Sequence, residues 1–157
     1  MKFPTLIERF IDPWGFLSNF YGCKVTYEDE DYPSVEHAYQ AAKTLDKKKR
    51  MVFQFPGLKP GKAKELGSKL VLRPDWEEVK VGIMRELLIQ KFYGTVLRRK
   101  LLCTGAAQLI EGNYWHDEFW GVCDGTCKRG PHEPNGLNWL GILLMEVRVF
   151  YGGLKAA

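Results

Sequence analysis

No apolar run in the sequence is long enough to cross a bilayer. The most hydrophobic stretch, WLGILLM, extends only from Trp139 to Met145, far short of the ~20 residues a membrane helix requires. The N-terminal MKFPTLIERFIDPWGF lacks the apolar segment of a secretory leader, because Glu8, Arg9 and Asp12 interrupt it. Cysteine is sparse, at Cys23, Cys103, Cys123 and Cys127. Without an export signal these read as reduced thiols, not as a disulfide framework. A soluble, cytoplasmic protein with no membrane partner is expected. The glycine-rich phosphate loop, the G-x-G-x-x-G dinucleotide fingerprint, the nucleophile elbow and H-E-x-x-H are all missing, which disfavours nucleoside triphosphate chemistry, a Rossmann cofactor and zinc-protease work. A strong charge of one sign is missing too. Lys plus Arg outnumber Asp plus Glu by 23 to 19, a net +4. That permits an anionic ligand without marking a nucleic-acid binder.

What is present is a folded chain: 157 residues, 45% hydrophobic, 27% charged and 13% aromatic, enough for one core. FPTLIERFI has strand character and ends at the turn signal Asp12-Pro13. CKVTYEDEDYPS alternates around Val25 and Tyr27 and turns at EDED, predicting a hairpin. Ser34 is placed to cap a helix carrying Glu36 to Lys43. A second helical segment follows the basic run from Asp46 to Arg50 and breaks at Pro56-Gly57. GKAKELGSKL predicts another short helix. Trp76, Val79, Ile83, Met84, Leu87, Leu88 and Phe92 recur at helical spacing and predict the longest one. Residues 95–103 continue helically, AAQLIEG predicts a short strand, and 113–138 reads as irregular. A last helix carries Leu140, Leu144, Val147 and Tyr151 on one stripe. The expectation is an α+β fold, mostly helical, in a single domain over 1–157 with a small hairpin.

Three stretches concentrate chemistry. SVEHAYQAAK sets Glu36, His37, Tyr39, Gln40 and Lys43 on one short helix. Glu36, Gln40 and Lys43 share a face, with Glu36 in the first turn where the helix dipole favours a carboxylate. The same pattern also describes an ordinary solvated face. NYWHDEFWG sets Asp117 and Glu118 among Tyr114, Trp115, Phe119 and Trp120, ahead of Gly121. Its aromatics either cap the core or line a pocket. GFLSNFYG offers Ser18 and Asn19 for hydrogen bonds and Phe16 and Phe20 for stacking, although Ser-Asn is also common turn chemistry. Asn138 and Gly141, at the start of the last helix, suit a phosphate held at a helix N-terminus. Cys123 and Cys127 with His116 and His132 nearby raise a zinc centre. C-x3-C with a single following His is no strong zinc pattern, so a surface loop is the plainer reading, and neither metal nor cofactor is expected.

Taken in order, GFLSNFY, SVEHAYQAAK, DWEEVKVGIMRELLIQKF, LLCTGAAQLIEG, DEFWG and GLNWLGILLMEVR resemble the NADAR family, the YbiA-like N-glycosidase group, over about residues 10 to 150. The resemblance implies the NADAR fold and an N-glycosidic bond as target. The substrate would be a ribosylaminopyrimidine phosphate of riboflavin synthesis or ADP-ribosylated guanine in nucleic acid. The family's essential Glu falls on Glu36, its Lys on Lys43, its Asp on Asp117, and its two Trp on Trp76 and Trp120. These imply Glu36, Lys43 and Asp117 as catalytic. Trp76 and Trp120 join Phe16, Ser18, Asn19, Phe20, His37, Tyr39, Gln40, Gly121, Asn138 and Gly141 as substrate-binding candidates. Two departures, the Cys- and Pro-rich segment GVCDGTCKRGPHEPNGL and Lys in GKAKELGSKL where the family often has Arg, bear on substrate choice more than on reaction type. The alternative is a non-catalytic module that binds ADP-ribose or a related nucleotide. Such a module has little need for two acids and an amine together.

Overall fold

The pair Glu28-Asp29 takes positive φ at both residues (48° and 64°), the two-residue turn geometry that matches strand twist. It joins β2 to β3 in the computed structural model, which describes residues 4–127 and 130–153. The first residues of the N-terminal reading, and Lys128 and Arg129 of the Cys-rich segment, lie outside that range. In chain order the elements are β1 (Leu6–Ile7), a 3-10 turn (Gly15–Leu17), β2 (Gly22–Tyr27), β3 (Glu30–Ser34), α1 (Val35–Ala42) and α2 (Lys47–Arg50). A 3-10 turn (Met51–Gln54), α3 (Pro60–Gly67), α4 (Trp76–Lys91) and α5 (Thr95–Leu102) follow. The last are β4 (Gln108–Leu109), β5 (Gly112–Asn113), β6 (Val122–Cys123) and α6 (Trp139–Gly153). Helix outweighs strand, and the class is α+β as expected. Among the described residues no helix is long and apolar enough to cross a membrane.

The described residues pack as two compact units, one over 19–94 and the other formed by those of 4–18 and 95–153. In Asn19–Gly94 the antiparallel β2–β3 hairpin leads straight into α1, which packs on α3 and α4. α4 buries Trp76, Ile83, Met84, Leu87, Leu88 and Phe92 on the stripe the spacing predicts, while Val79 is only half-buried. The basic run forms α2 because Asp46 caps it, its Oδ1 accepting from the N–H of Lys48 and Lys49. Arg50 is buried, donating to the Thr44 carbonyl and, at 2.5 Å, to Glu28 at the hairpin tip.

In the other unit, β1 pairs with β4 in parallel, Leu6 opposite Gln108 and Ile7 opposite Leu109, and β5 pairs with β6 in parallel. The strand expected over the whole of FPTLIERFI is thus only two residues long. α6 packs on α5 and β4. It buries Leu140, Leu144, Val147 and Tyr151, the stripe read from the sequence, and Leu143 as well.

Candidate functional site

α1 begins where Ser34, extended at φ −157°, caps it. Ser34 Oγ accepts from the His37 N–H at 3.4 Å and lies 2.7 Å from His37 Nδ1. His37 Nε2 lies 2.8 Å from the Leu58 carbonyl oxygen. A carbonyl only accepts, so Nε2 carries the proton and Nδ1 takes the Ser34 hydroxyl hydrogen. Burial pushes the imidazole below its ordinary value, with the Leu58 carbonyl opposing. His37 therefore spends both nitrogens on protein, and its place is in the scaffold under the site.

Every residue of α1 is buried, so its polar face is not the solvated face the pattern also allowed. Glu36 is 6% exposed. Its Oε1 accepts from Gln40 Nε2 at 2.7 Å, and its N–H donates to the Asn19 carbonyl at 3.1 Å. Two further acceptors, Asn19 Oδ1 and Gln40 Oε1, are buried with no hydrogen-bond partner among the described residues. Each costs about 1–3 kcal/mol in that condition. Gln40 has room where it lies only because residue 67 of α3 is glycine: a Cβ at Gly67 would sit 1.9 Å from Gln40 Oε1 and 2.9 Å from its Cβ.

At the far end of α1, Lys43 is the C-cap residue, its Nζ 5.7 Å from the Tyr39 ring centroid. Tyr39 packs on Trp76 at 5.1 Å between centroids. Both rings are 5% exposed, so Trp76 is not a displayed stacking surface and acts instead as packing behind Tyr39. Phe20, by contrast, is 45% exposed.

The second group lies in the other unit. Asn113, buried, clamps Asp117 from both sides: its Oδ1 accepts from the Asp117 N–H and its Nδ2 donates to the Asp117 carbonyl, at 3.0 and 2.8 Å. Asp117 Oδ1 then accepts from the Trp120 N–H at 2.9 Å. Trp120 is half-buried, edge-on to Phe119. Phe16 is buried beneath Lys100, and Ser18 is half-buried.

Asn138 and Gly141 are tied into the protein itself. The N–H groups of residues 137 to 140 go to the carbonyls of Glu118, Gly121, Phe119 and Trp120, so the start of α6 is already capped by that loop. Asn138 accepts from the Glu111 N–H and donates to the Leu109 carbonyl. Gly141 and Gly121 are glycine because a Cβ would fall 2.2 Å from Leu109 O and 2.1 Å from Glu111 O respectively. These three residues are joinery for the Asp117–Trp120 loop.

Sequence reasoning missed Lys91 and Asn113. Lys91 is 3% exposed, its Nζ 5.8 Å from the Tyr21 ring centroid and 5.3 Å from that of Phe92. Its signal is legible: it falls three and four residues after Leu88 and Leu87, on the core stripe of α4. A cleft of about 340 Å³ between Glu28 and Glu30 of the hairpin and the segment Lys47 to Gln54 contains none of the candidates. Near Asp117, the ligand atoms of His116, Cys123, Cys127 and His132 all lie within 4.8 Å of one another, a convergence their spacing did not foretell.

With this geometry in place, similarity to known proteins is informative. The NADAR domain family matches residues 7–150. The chain is 38% identical over 141 residues to an N-glycosidase of Nostoc punctiforme, covering 87% of this chain and 85% of that one. It is 36% identical over 140 residues to N-glycosidase YbiA of Escherichia coli, covering 87% and 81%. The NMR structure of YbiA has a similar fold, with a TM-score of 0.78 at 33% identity over 100% of this chain and 92% of that one. A riboflavin biosynthesis protein of Vibrio vulnificus is 35% identical over 136 residues, spanning 85% of this chain and 35% of that longer protein.

Proposed function

The chain belongs to the NADAR domain family and is an enzyme of the N-glycosidase type, and we propose that it hydrolyses the ribosyl C1–N bond of a phosphorylated ribosylaminopyrimidine of the kind made in riboflavin synthesis. The relative named for riboflavin biosynthesis supports that substrate class. The observation that carries the reading is the buried Glu36 carboxylate, held by Gln40 and accompanied by the unpartnered acceptors of Asn19 and Gln40. Ribose hydroxyls are donors, and would satisfy such acceptors beside the acid. A phosphorylated substrate does not cross membranes unaided, so the cytoplasm is the location that goes with this reading.

In this reading the positive charge that develops at C1 is balanced by the Glu36 carboxylate, which Gln40 Nε2 orients by its hydrogen bond to Oε1. Gln40 then both orients Glu36 and offers Oε1 to a ribose hydroxyl, and Tyr39, backed by Trp76, lies beside the Lys43 amine. Asp117 is assigned the proton transfer, with its Oδ1 accepting from the Trp120 N–H. Lys43 adds a covalent route. Its neutral amine attacks C1 of the ring-opened sugar, the pyrimidine amine departs with a proton, and water hydrolyses the resulting imine, restoring the amine. Either route consumes one water and yields the aminopyrimidine and ribose 5-phosphate.

The test is a release assay with two substrates in parallel, the ribosylaminopyrimidine phosphate and guanine-ADP-ribosylated DNA. Ribose 5-phosphate should appear from the first, and kcat should fall by at least about 10²-fold in Glu36→Gln. Borohydride trapping of the sugar on the wild-type chain but not on Lys43→Ala would assign the covalent route. Release from the DNA alone would move the substrate to ADP-ribosylguanine. Saturable ADP-ribose binding with no release from either would replace the hydrolase by a binding module.

A further inference from the structure

We infer that His116, Cys123, Cys127 and His132 form a structural zinc site that fastens the loop carrying Asp117 and Trp120. This stands whatever bond the enzyme cleaves. The distances are those of a coordination shell. Cys127 Sγ lies 3.4 Å from His116 Nδ1 and 3.3 Å from His132 Nε2, and Cys123 Sγ lies 3.6 Å from the same Nε2. A tetrahedral zinc, with Zn–S near ~2.3 Å and Zn–N near ~2.0–2.1 Å, sets its S···N edges at about 3.6 Å.

The outer contacts are those that metal-binding histidines require. His132 Nδ1 lies 2.7 Å from the Glu133 carbonyl oxygen, which can only accept, so Nδ1 is protonated and the Nε2 lone pair points at the two sulfurs. His116 turns Nδ1 toward Cys127 and Nε2 toward Glu118 Oε1, 3.6 Å away. Each imidazole thus turns one nitrogen to the metal position; the other is fixed by the Glu133 carbonyl in His132 and faces the Glu118 carboxylate in His116. Both cysteines are buried, Cys123 completely, and two thiolates neutralise a divalent ion.

The backbone is built to bring these groups together. Cys123 and Asn135 exchange both backbone hydrogen bonds, and the His132 N–H donates to Gly125 O. Gly125 has φ +84°, and a Cβ there would sit 2.0 Å from His132 O, so only glycine lets the two arms close. Asp124 stiffens the Cys123–Cys127 arm, its Oδ1 accepting from the N–H and hydroxyl of Thr126. The order H-x6-C-x3-C-x4-H keeps the short cysteine pair of many zinc sites but takes its first histidine from upstream. Four protein ligands leave no position for a reacting water, so the site is structural.

The full chain, purified without chelator, should contain about one zinc per molecule, and so should Cys103→Ser, which alters an exposed thiol. Cys127→Ser should lose it. Glu118→Gln, which keeps all four ligands, should weaken zinc binding about tenfold. Because Cys127→Ser can fail to fold, the reduced and chelated wild type is also titrated with cobalt(II). It should develop thiolate-to-metal charge transfer and the intense ligand-field bands of a tetrahedral centre, and titrating zinc should erase both. Absence of zinc together with no thiolate charge transfer in the reduced protein would overturn the site. So would a Cys123–Cys127 disulfide recovered quantitatively from cells, or zinc retained in full by a folded Cys127→Ser.

Discussion

His37 couples one side chain to the pH of the medium. Folded, it is neutral, bonded at both nitrogens and buried, with a pKa pushed below the ordinary 6.5. Unfolded, it takes a proton near 6.5, so below that pH the unfolded chain binds more protons and stability falls with pH through the folded value. Above 6.5 the residue contributes no slope. His37→Gln should be less stable at neutral pH, by about 1–3 kcal/mol from the lost buried bonds. Its melting temperature should also fall less than that of the wild type between about pH 7 and pH 5. The series is run on chelated protein so that metal loss adds nothing, and parallel curves for the two proteins would sink the idea. The same residue shows what a sequence can tell. SVEHAYQAAK showed a polar helix but not which groups look inward. Glu36 and His37 are adjacent letters, yet one is a carboxylate beside unpartnered acceptors and the other is locked to Ser34 and to Leu58, distant in the chain.

At the scale of elements, α1 and α3 meet through Gly67, which abuts Gln40 so closely that any side chain there must displace it. Gly67→Ala should cost about 1–3 kcal/mol through overpacking. If Gln40 holds Glu36 for catalysis, the same change should lower kcat about tenfold or more, because it displaces the Gln40 amide that orients Glu36. Gly67→Ser should behave alike, whereas Gly82→Ala, with open space at its Cβ, should leave kcat unchanged and serve as the control. Full activity in a Gly67→Ala protein that has lost stability would detach Gln40 from catalysis. Elements of this kind were largely legible. The hairpin, the Ser34 cap, and the stripes of α4 and α6 all follow from local rules of period and capping. The positions of β1 and β4 were legible as well, but not their pairing, which spans about a hundred residues, nor β5 and β6, because two-residue strands carry too little periodicity to announce a partner. The surroundings of Asn138 and Gly141 were hidden for a related reason. A helix N-terminus looks like a phosphate site until the loop from Glu118 to Gly121 is seen spending its carbonyls there.

For the molecule as a whole, the question is which substrate its charge suits. A net +4 assists the approach of a small anion but is weak for a polyanion, and several cations are already committed: Arg50 to Glu28, Arg9 to Asp124, Lys69 and Lys62 to Glu65. Contact with nucleic acid through many phosphates is punished by salt, because each neutralised phosphate releases condensed counterions. A protein making 6–10 such contacts loses about 10³–10⁵ in affinity between about 50 and 200 mM salt. A sugar monophosphate has no condensed counterions to release, so only screening remains. With the ribosylaminopyrimidine phosphate, kcat/KM should therefore change by less than about threefold over that range, the change appearing in KM while kcat stays constant. A loss of 10² or more with guanine-ADP-ribosylated DNA over the same range, at comparable kcat, would mean that the polymer is gripped along its backbone. The exposed lysines Lys47, Lys48 and Lys49 would then be the first place to look for that grip, and the small-substrate reading would fall.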